Sequence, residues 1–572
     1  MSFQIPNPEL QIRQSNRGDL FGELWETFNI DLTSNPGKIL NSKKLELVLG
    51  DSVLTDAAGL HDILIFDGNY YAFTEDETFV CSVGDDPSVP ANWSIRAAVG
   101  DNDINTTAVV FDGQLRISLD TDIARYNGSA SYADDWWTED VSGTALTAGF
   151  PHVTETVQSQ KETFFVTDKN LVHYLEKDGS PKIVTLDSNV VACCLAPALS
   201  GAMWVGTYNE TSGKAYVYEI YVGEVVGSTA VYRQAYPIDA QAVLAIWVVD
   251  NTPYIVTEKG TIQVFNGAGF KTIAYFPFIF NGKELSGVSP GLIQSSNRAR
   301  PIHPRGVKVV NDVAFLLVNS EDTSTTDTPV STRFHSGVWE FNTSNSSLSH
   351  RAALADTAND YGTSILDESG ALLVTDNADA FLMCGAGTTD TGLYVMKDTP
   401  SQGWFVTPEL NSDTIQSAYN KITHKATTLG AGETINTLYR TRKRETIRGT
   451  ANWVSATEFV TTDDWSGVVV GDLVRVNTGY STGDWGSITA ITPSATTYTV
   501  TLNRSIGLAA ATSKVYSDNF KLINAEMTTA DGEFKTVGVG DVNPWVQFMV
   551  ILKGEIEYRS FDSKDNAKTT RS

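Results

Sequence analysis

The stretch Ile255-Val256-Thr257-Glu258-Lys259-Gly260-Thr261-Ile262-Gln263-Val264-Phe265-Asn266-Gly267 spells an apolar strand, a polar turn and a return strand closed by Asn-Gly. The same arrangement comes back at Ala72 to Val80, at Arg116 to Gly128 and at Phe165 to Tyr174, each with Thr or Ser ahead of the turn. Alternating apolar residues on both sides of a Gly- or Asp-rich turn are the mark of a hairpin with one buried face. A lone four-stranded sheet leaves that face wet, so units repeating every roughly 40–60 residues stack radially, as in a β-propeller.

About seven such blades are expected. They centre on Ile65 to Cys81, Val109 to Asn127, Phe164 to Leu175, Ala202 to Val222, Ile246 to Phe276, Val313 to Phe341 and Ala371 to Val406. The sixth carries a Thr-, Ser- and Asp-rich insertion, Glu321 to His335, which reads as a surface loop. From about Asp413 the pattern changes. Lys421 to Lys425 and Thr434 to Arg440 read as adjacent strands of a sandwich, with partners far downstream at Phe520 to Ile523 and Trp545 to Leu552. Between them, turns at Gly471-Asp472, Thr482-Gly483-Asp484 and Pro493-Ser494 separate short strands of an inserted SH3- or OB-like barrel. The expected division is an entry or docking segment at 1–50, a propeller at 51–412, a sandwich at 413–450 plus 518–572, and the barrel at 451–517.

Composition fits this all-β reading: 572 residues, 41% hydrophobic, 10% aromatic and 45 glycines describe a globular chain with more than one core. No run of about eighteen apolar residues is present to form a membrane-crossing helix, and the opening Met1 to Pro8 does not read as a secretory signal. Cys81, Cys193, Cys194 and Cys384 stand in apolar contexts without metal-ligand spacing, so they read as buried thiols of a protein made in a reducing cytoplasm.

Motifs that carry chemistry are missing or broken. The 7 histidines form no zinc pattern, and no phosphate-cradling Gly-rich loop ends in Lys-Ser or Lys-Thr. Gly287-Val288-Ser289-Pro290-Gly291 spells a nucleophile elbow, but Pro290 lacks the N–H that its oxyanion hole needs. Asp101-Asn102-Asp103-Ile104-Asn105 resembles the start of a calcium loop, yet Thr106 stands where that loop needs Gly. Glycosidase propellers rely on paired carboxylates, and the Ser-x-Asp-x-Gly-x-x-Trp turns of sialidase propellers are absent. The expectation is no enzyme, no cofactor and no metal, with a glycosidase propeller as a second alternative.

Charge points the same way. With 41 basic against 68 acidic residues, the net charge of −27 opposes nucleic-acid binding and suits a surface past which a duplex slides without sticking. Two basic islands interrupt it: Arg298, Arg300 and Arg305, then Arg440, Arg442, Lys443 and Arg444. They are candidate docking patches for an acidic neighbour, another copy included. Trp136 and Trp137 beside Asp134 and Asp135 are candidate glycan contacts, with packing as the competing reading.

Phe28-Asn29-Ile30-Asp31-Leu32-Thr33-Ser34-Asn35-Pro36-Gly37-Lys38-Ile39 resembles the entry segment of propeller proteins from tailed-bacteriophage virions, the tail nozzle (tail tubular or knob) proteins of short-tailed phages among them. Asn543 to Val550 is similar to the last sandwich strand of such proteins. The resemblance implies a structural virion protein in a homo-oligomeric ring, often a hexamer, around the DNA exit channel. Its neighbours would be adaptor and fibre proteins, with DNA passing unbound. A carbohydrate- or receptor-binding propeller at the virion tip, meeting a host glycan, is the alternative.

Overall fold

The computed structural model describes residues 26–32, 38–49, 62–74, 77–98, 104–126, 132–158, 161–211, 213–226, 229–276, 302–318, 337–355, 368–375, 381–386, 392–400, 402–407, 410–411, 417–441, 447–479, 484–506, 511–523, 533–537, 542–543 and 545–567. Strands dominate them, and the fold is an all-β propeller with further β-sheet domains. The chain divides into two compact units, one of residues 47–323 and 366–396, the other of residues 1–46, 324–365 and 397–572.

The first unit is the wheel. Blade 1 is Asp62–Phe66, Asn69–Phe73, Glu77–Ser82 and Ser94–Ala98; blade 2 is Ile104–Phe111, Gln114–Leu119, Ile123–Tyr126 and Tyr132–Ala133. Blade 3 runs from Thr154–Gln158 through Glu162–Asp168 and Leu171–Glu176 to Lys182–Thr185, and blade 4 from Val190–Pro197 through Ala202–Asn209 and Tyr216–Tyr221 to Gln234–Pro237. Blade 5 is Val243–Val249, Thr252–Thr257, Thr261–Phe265 and Phe270–Tyr275. Blade 6 opens with Val307–Val310 and Val313–Val318, and blade 7 with Glu368–Val374, Phe381–Ala386 and Gly392–Pro400. The first strands of these seven blades touch in succession, and that of blade 7 touches that of blade 1, so the ring closes. Blade 7 takes its fourth strand from the other end of the sequence, where the Leu47–Leu49 end of Lys43–Leu49 lies beside Gly392–Pro400.

Apolar faces explain the stacking. Ile63, Ala72 and Phe79 of blade 1 pack with Ala371, Leu393 and Val395 of blade 7. Tyr71 and Phe73 pack on Leu115, Ile117 and Tyr126 of blade 2. Phe165, Val172 and Tyr174 of blade 3 pack on Met203, Val205 and Tyr218 of blade 4. The tight first hairpins use two consecutive positive-φ residues, the type I′ geometry: Asp67-Gly68, Asp112-Gly113, Asp250-Asn251 and Asn311-Asp312. The Thr-acid turns that announce the repeat have a second use: their carboxylates hold the chain that enters the same blade. Glu258 accepts the N–H groups of Gln241 and Ala242, and Asp168 accepts that of Thr147.

The second unit holds a sandwich and a barrel. One sheet orders Glu26–Phe28, Gln402–Val406, Trp545–Lys553, Thr434–Arg440 and Thr512–Leu522; the other orders Ile30–Asp31, Ile39–Asn41, Glu557–Ala567, Ser417–Ala426 and Glu533–Val537. Ile30, Ile39, Phe405, Ile435, Phe548, Val550 and Tyr558 fill the core. Thr512–Leu522 continues into a barrel with Ile447–Ser455, Glu458–Thr461, Tyr498–Leu502, Trp485–Pro493 and Asp472–Gly479, which closes because Asp472–Gly479 pairs back onto Thr512–Leu522. Trp453, Phe459 and Trp465 fill its interior.

Several expected boundaries move. Residues 26–31 and 39–41 are sandwich strands, not a separate entry segment, because Phe28, Ile30 and Ile39 are buried there. Gln402–Val406 leaves the expected seventh blade and pairs with Trp545–Lys553. Lys421 to Lys425 and Thr434 to Arg440 are not adjacent strands: they lie in different sheets, and His424 meets Thr437 across the core. The Glu321 to His335 insertion lies outside the described residues.

His424 is fully buried, with Nδ1 2.6 Å from the Tyr558 hydroxyl and Nε2 2.8 Å from Thr437 Oγ1. Burial pulls its pKa down to about 3. The unfolded chain therefore binds this proton near pH 6.5 while the folded one does not, so stability present above that pH is lost as pH falls towards 3. The expected loss is up to about 4 kcal/mol. Urea titrations of wild type and His424→Gln from pH 7 to pH 4 check it: the variant is expected to show the shallower pH dependence.

Candidate functional site

Arg305 joins parts of the wheel that the ring order keeps apart. It precedes the first strand of blade 6, yet its Nη2 donates to the carbonyls of Thr154 in blade 3 (3.0 Å) and Ala108 in blade 2 (3.3 Å). Nη1 donates to Glu155 Oε2, and Nε lies 3.8 Å from Asp62 Oδ2 of blade 1. Blade 6 neighbours none of blades 1, 2 and 3, so the guanidinium reaches across the middle of the ring. Asp62 and Glu155 stand at the starts of their strands, which places the cluster at one mouth of the wheel.

Local structure presents each group. A turn returns the Gly306 N–H to the His303 carbonyl, while the Arg305 N–H donates to His303 Nδ1 and its carbonyl accepts from Leu372. Those bonds hold the Arg305 backbone and aim its side chain inward. Asp62 Oδ1 accepts from the Ile63 N–H (2.8 Å) and Oδ2 from the Ala108 N–H (2.7 Å), tying blade 1 to blade 2. Thr107 and Thr154 bond through their hydroxyls at 2.8 Å and tie blade 2 to blade 3.

The electrostatics are lopsided. Among the described residues, two carboxylates flank one guanidinium. Asp62 is only 3% exposed, and burial raises its pKa to about 6 against the opposing pull of Arg305 and two backbone N–H groups. Burial disfavours the charged Arg305 as well, but Glu155 and Asp62 outweigh it and hold the guanidinium above its ordinary pKa. The guanidinium bonds to protein oxygens on both terminal nitrogens, so the cluster works as a brace across the ring.

Of the candidate docking residues, Arg305 alone enters this cluster among those described, and it is committed inward. Arg440 is buried too: its Nε donates to Gln547 Oε1 at 2.7 Å and its guanidinium lies 4.3 Å over Phe520. A strand alternates faces, and at Arg440 the inward face wins because Gln547 and Phe520 satisfy the charge. Arg298, Arg300, Arg442, Lys443 and Arg444 lie outside the described residues, as does Gly287 to Gly291.

The proposed glycan platform is not a platform. Trp136 and Trp137 open a π-helical turn, Trp136–Ser142, that folds both rings between blades 2 and 3. Trp137 is fully buried against Phe164 and His173, and Arg116 lies 4.1 Å over the Trp136 ring. Asp122 anchors the turn by accepting the Trp137 N–H at 2.9 Å. Asp135 is exposed and Asp134 half-buried, but the aromatic faces a sugar would stack on are taken.

Sequence reading passed over Asp62 and Glu155. Each is one acid in an apolar or alternating run, Ile63 to Phe66 and Val153 to Val157, and the arginine that gives them meaning is far away in sequence. Among the described residues no group of His, Cys, Asp and Glu is arranged to hold a metal, and no helix is long and apolar enough to cross a membrane.

No family model matches the chain and no curated protein matches it. Solved structures similar to it include the computationally designed Ika8 protein, with TM-score 0.36, 11% identity and coverage of 62% of this chain and 99% of that one. The extracellular domain of a hybrid two-component system from B. thetaiotaomicron gives TM-score 0.38 and 13% identity over 74% of this chain; the match spans about half of that domain, 46%. YCF48 bound to D1 peptide gives TM-score 0.36 and 8% identity, covering 62% of this chain and 94% of that one. These likenesses concern the fold class and carry nothing about ligand or activity.

Proposed function

We propose that this chain is a structural protein of a tailed-phage virion, a tail nozzle or related tail component that assembles as a ring around the DNA exit channel and is not an enzyme. The observation that carries the reading is where the two resembling segments meet. Phe28 and Met549 share one buried cluster with Trp404, and Ile30, Ile39, Phe548 and Val550 share the next, although the segments stand some five hundred residues apart in the chain. The resemblance therefore falls on one folded element instead of two unrelated strings.

The rest of the molecule suits the role. Identical copies related by rotation form a closed ring when the rotation closes. The excess of acid over base would line such a ring with charge that repels the duplex. The brace across the wheel leaves the passage to the space between copies, not to the propeller axis. Adaptor and fibre proteins would be its neighbours, and synthesis would occur in the host cytoplasm, where the buried thiols of Cys81, Cys193 and Cys194 stay reduced.

Negative-stain electron microscopy and light scattering on the purified chain test this reading. Closed rings, sixfold by the resemblance, are the expected result. A monomer at micromolar concentration that cleaves a polysaccharide would overturn it in favour of a glycosidase.

A further inference from the structure

We propose that Cys193 and Cys194 form a reactive thiol pair that closes to a disulfide when a peroxide reaches it, which gives the seam between blades 4 and 5 a reversible oxidation site. The inference stands independently of the virion role. Side chains alternate along a strand, so residues adjacent in sequence ordinarily face opposite ways. A bulge breaks that alternation here: Ala192 pairs with Thr207 and Cys194 with Gly206, which leaves Cys193 as the extra residue. Val190, Ala192 and Leu195 face blade 3, where they pack with Phe165, Val172 and Tyr174. The two cysteines between them turn together towards Val243 of blade 5.

Both sulfurs meet one atom. The Val243 carbonyl oxygen lies 3.4 Å from Cys193 Sγ and 4.0 Å from Cys194 Sγ. Cys193 also approaches the Gly206 carbonyl at 3.5 Å. Gly206 makes the room, because a Cβ there would run into Cys194 Sγ and lie 2.9 Å from Val243 Cγ1. Bulge, glycine and shared carbonyl thus bring two buried thiols to one spot.

A pair so placed handles oxidation differently from a single thiol. One sulfur, as thiolate, attacks an oxygen of hydrogen peroxide; the O–O bond breaks, a sulfenic acid forms, and the released hydroxide takes up the proton of that cysteine. The second sulfur attacks the first, the S–O bond breaks, and the hydroxyl leaves as water with the second thiol's proton. Two thiols and one peroxide give one disulfide and two waters. The neighbour intercepts the sulfenic acid before a second oxygen can be added, so the end point is a disulfide that a thiol reductant reverses. Closure also withdraws both S–H donors from the Val243 carbonyl.

The test is to treat the native full-length chain with hydrogen peroxide, then unfold it, alkylate the remaining thiols, digest it and weigh the peptides. The peptide that carries Cys193 and Cys194 is expected to lose both alkyl groups and two hydrogens, and to regain both alkyl groups after dithiothreitol. Cys81, equally buried in blade 1 but followed by Ser82, should stay alkylated. Cys193→Ser and Cys194→Ser should each replace the loss of two hydrogens by a gain of oxygen on the remaining sulfur. If either variant folds poorly, the wild-type measurement decides alone. Full alkylation of both cysteines in the native chain at a peroxide dose that closes the pair in the unfolded chain, or wild-type oxidation that ends in oxygen adducts, overturns the proposal.

Discussion

Replacing Arg475 by Met is expected to lower the stability of the sandwich-and-barrel unit by about 3–5 kcal/mol, because it takes the paired guanidinium away from a buried carboxylate. Arg475 lies on Asp472–Gly479 with its side chain 1% exposed, and its Nη2 donates to Asp518 Oδ2 at 2.6 Å, itself 2% exposed. The guanidinium lies 5.2 Å from the Trp404 ring and 4.6 Å from the Tyr516 ring. Trp404 belongs to the sandwich sheet, so this one side chain fixes the base of the barrel to the domain that carries it. Met keeps the aliphatic contacts and removes the charge, so the penalty falls mainly on Asp518. The double variant Arg475→Met with Asp518→Leu is therefore expected to recover most of the loss, since a buried ion pair replaced as a whole is often neutral. Thermal melts of the two variants and of Asp518→Leu alone form a double-mutant cycle. A coupling energy near zero would show that the pair does not hold the barrel.

What could be read from the chain was whatever local chemistry repeats. The Thr-acid turns at Asp168 and Glu258 stood out because blades 3 and 5 solve the same problem, holding the incoming strand, with the same residue types. A stronger signal lay beside them and went unused: Phe66-Asp67-Gly68, Phe111-Asp112-Gly113, Val249-Asp250-Asn251 and Val310-Asn311-Asp312 mark the first hairpin of four blades, because the type I′ turn selects Asp, Asn and Gly. In those four blades it also marks where the blade begins, which the second-turn pattern leaves a strand too late. Partners distant in sequence were not legible. Nothing local to Arg305 names Asp62 or Glu155, and a basic island looks alike whether it meets solvent or a buried acid. At Trp136-Trp137 the acids on both sides suggest exposure, but the packing reading that the sequence also carried is the one the π-helical turn realises, folding both rings inward. The sandwich sheets were misassigned because alternation tells which face is buried, not which sheet a strand joins.

The closing strand of the wheel invites the sharpest test, and substituting Val for Gly392 is expected to open it. A Cβ on Gly392 would lie 1.8 Å from the Leu49 carbonyl oxygen and 2.7 Å from Leu47 Cδ1. The first of these atoms is backbone and cannot swing aside, so Leu47 to Leu49 must leave the edge of Gly392–Pro400. Val48 and Leu49 then lose their cover over Leu393, Val395 and Ala371. Exposing those two side chains alone costs about 3–6 kcal/mol. The cost falls on closure and not on blades 1, 2, 3 and 5, whose four strands are consecutive in the chain. Hydrogen exchange should therefore show residues 43–49 and 392–396 unprotected in Gly392→Val while 154–176 of blade 3 stays protected. Gly223→Ala, at a positive-φ turn with nothing within 4 Å of an added Cβ, is the control for a glycine replacement alone and should cost only about 1–2 kcal/mol. Wild-type protection of residues 43–49 in Gly392→Val would mean that the two ends of the ring are joined elsewhere. Leu47 to Leu49 complete the last blade beside the packing of Glu368–Val374 on Asp62–Phe66, so Gly392→Val measures how much of the ring's closure rests on that strand.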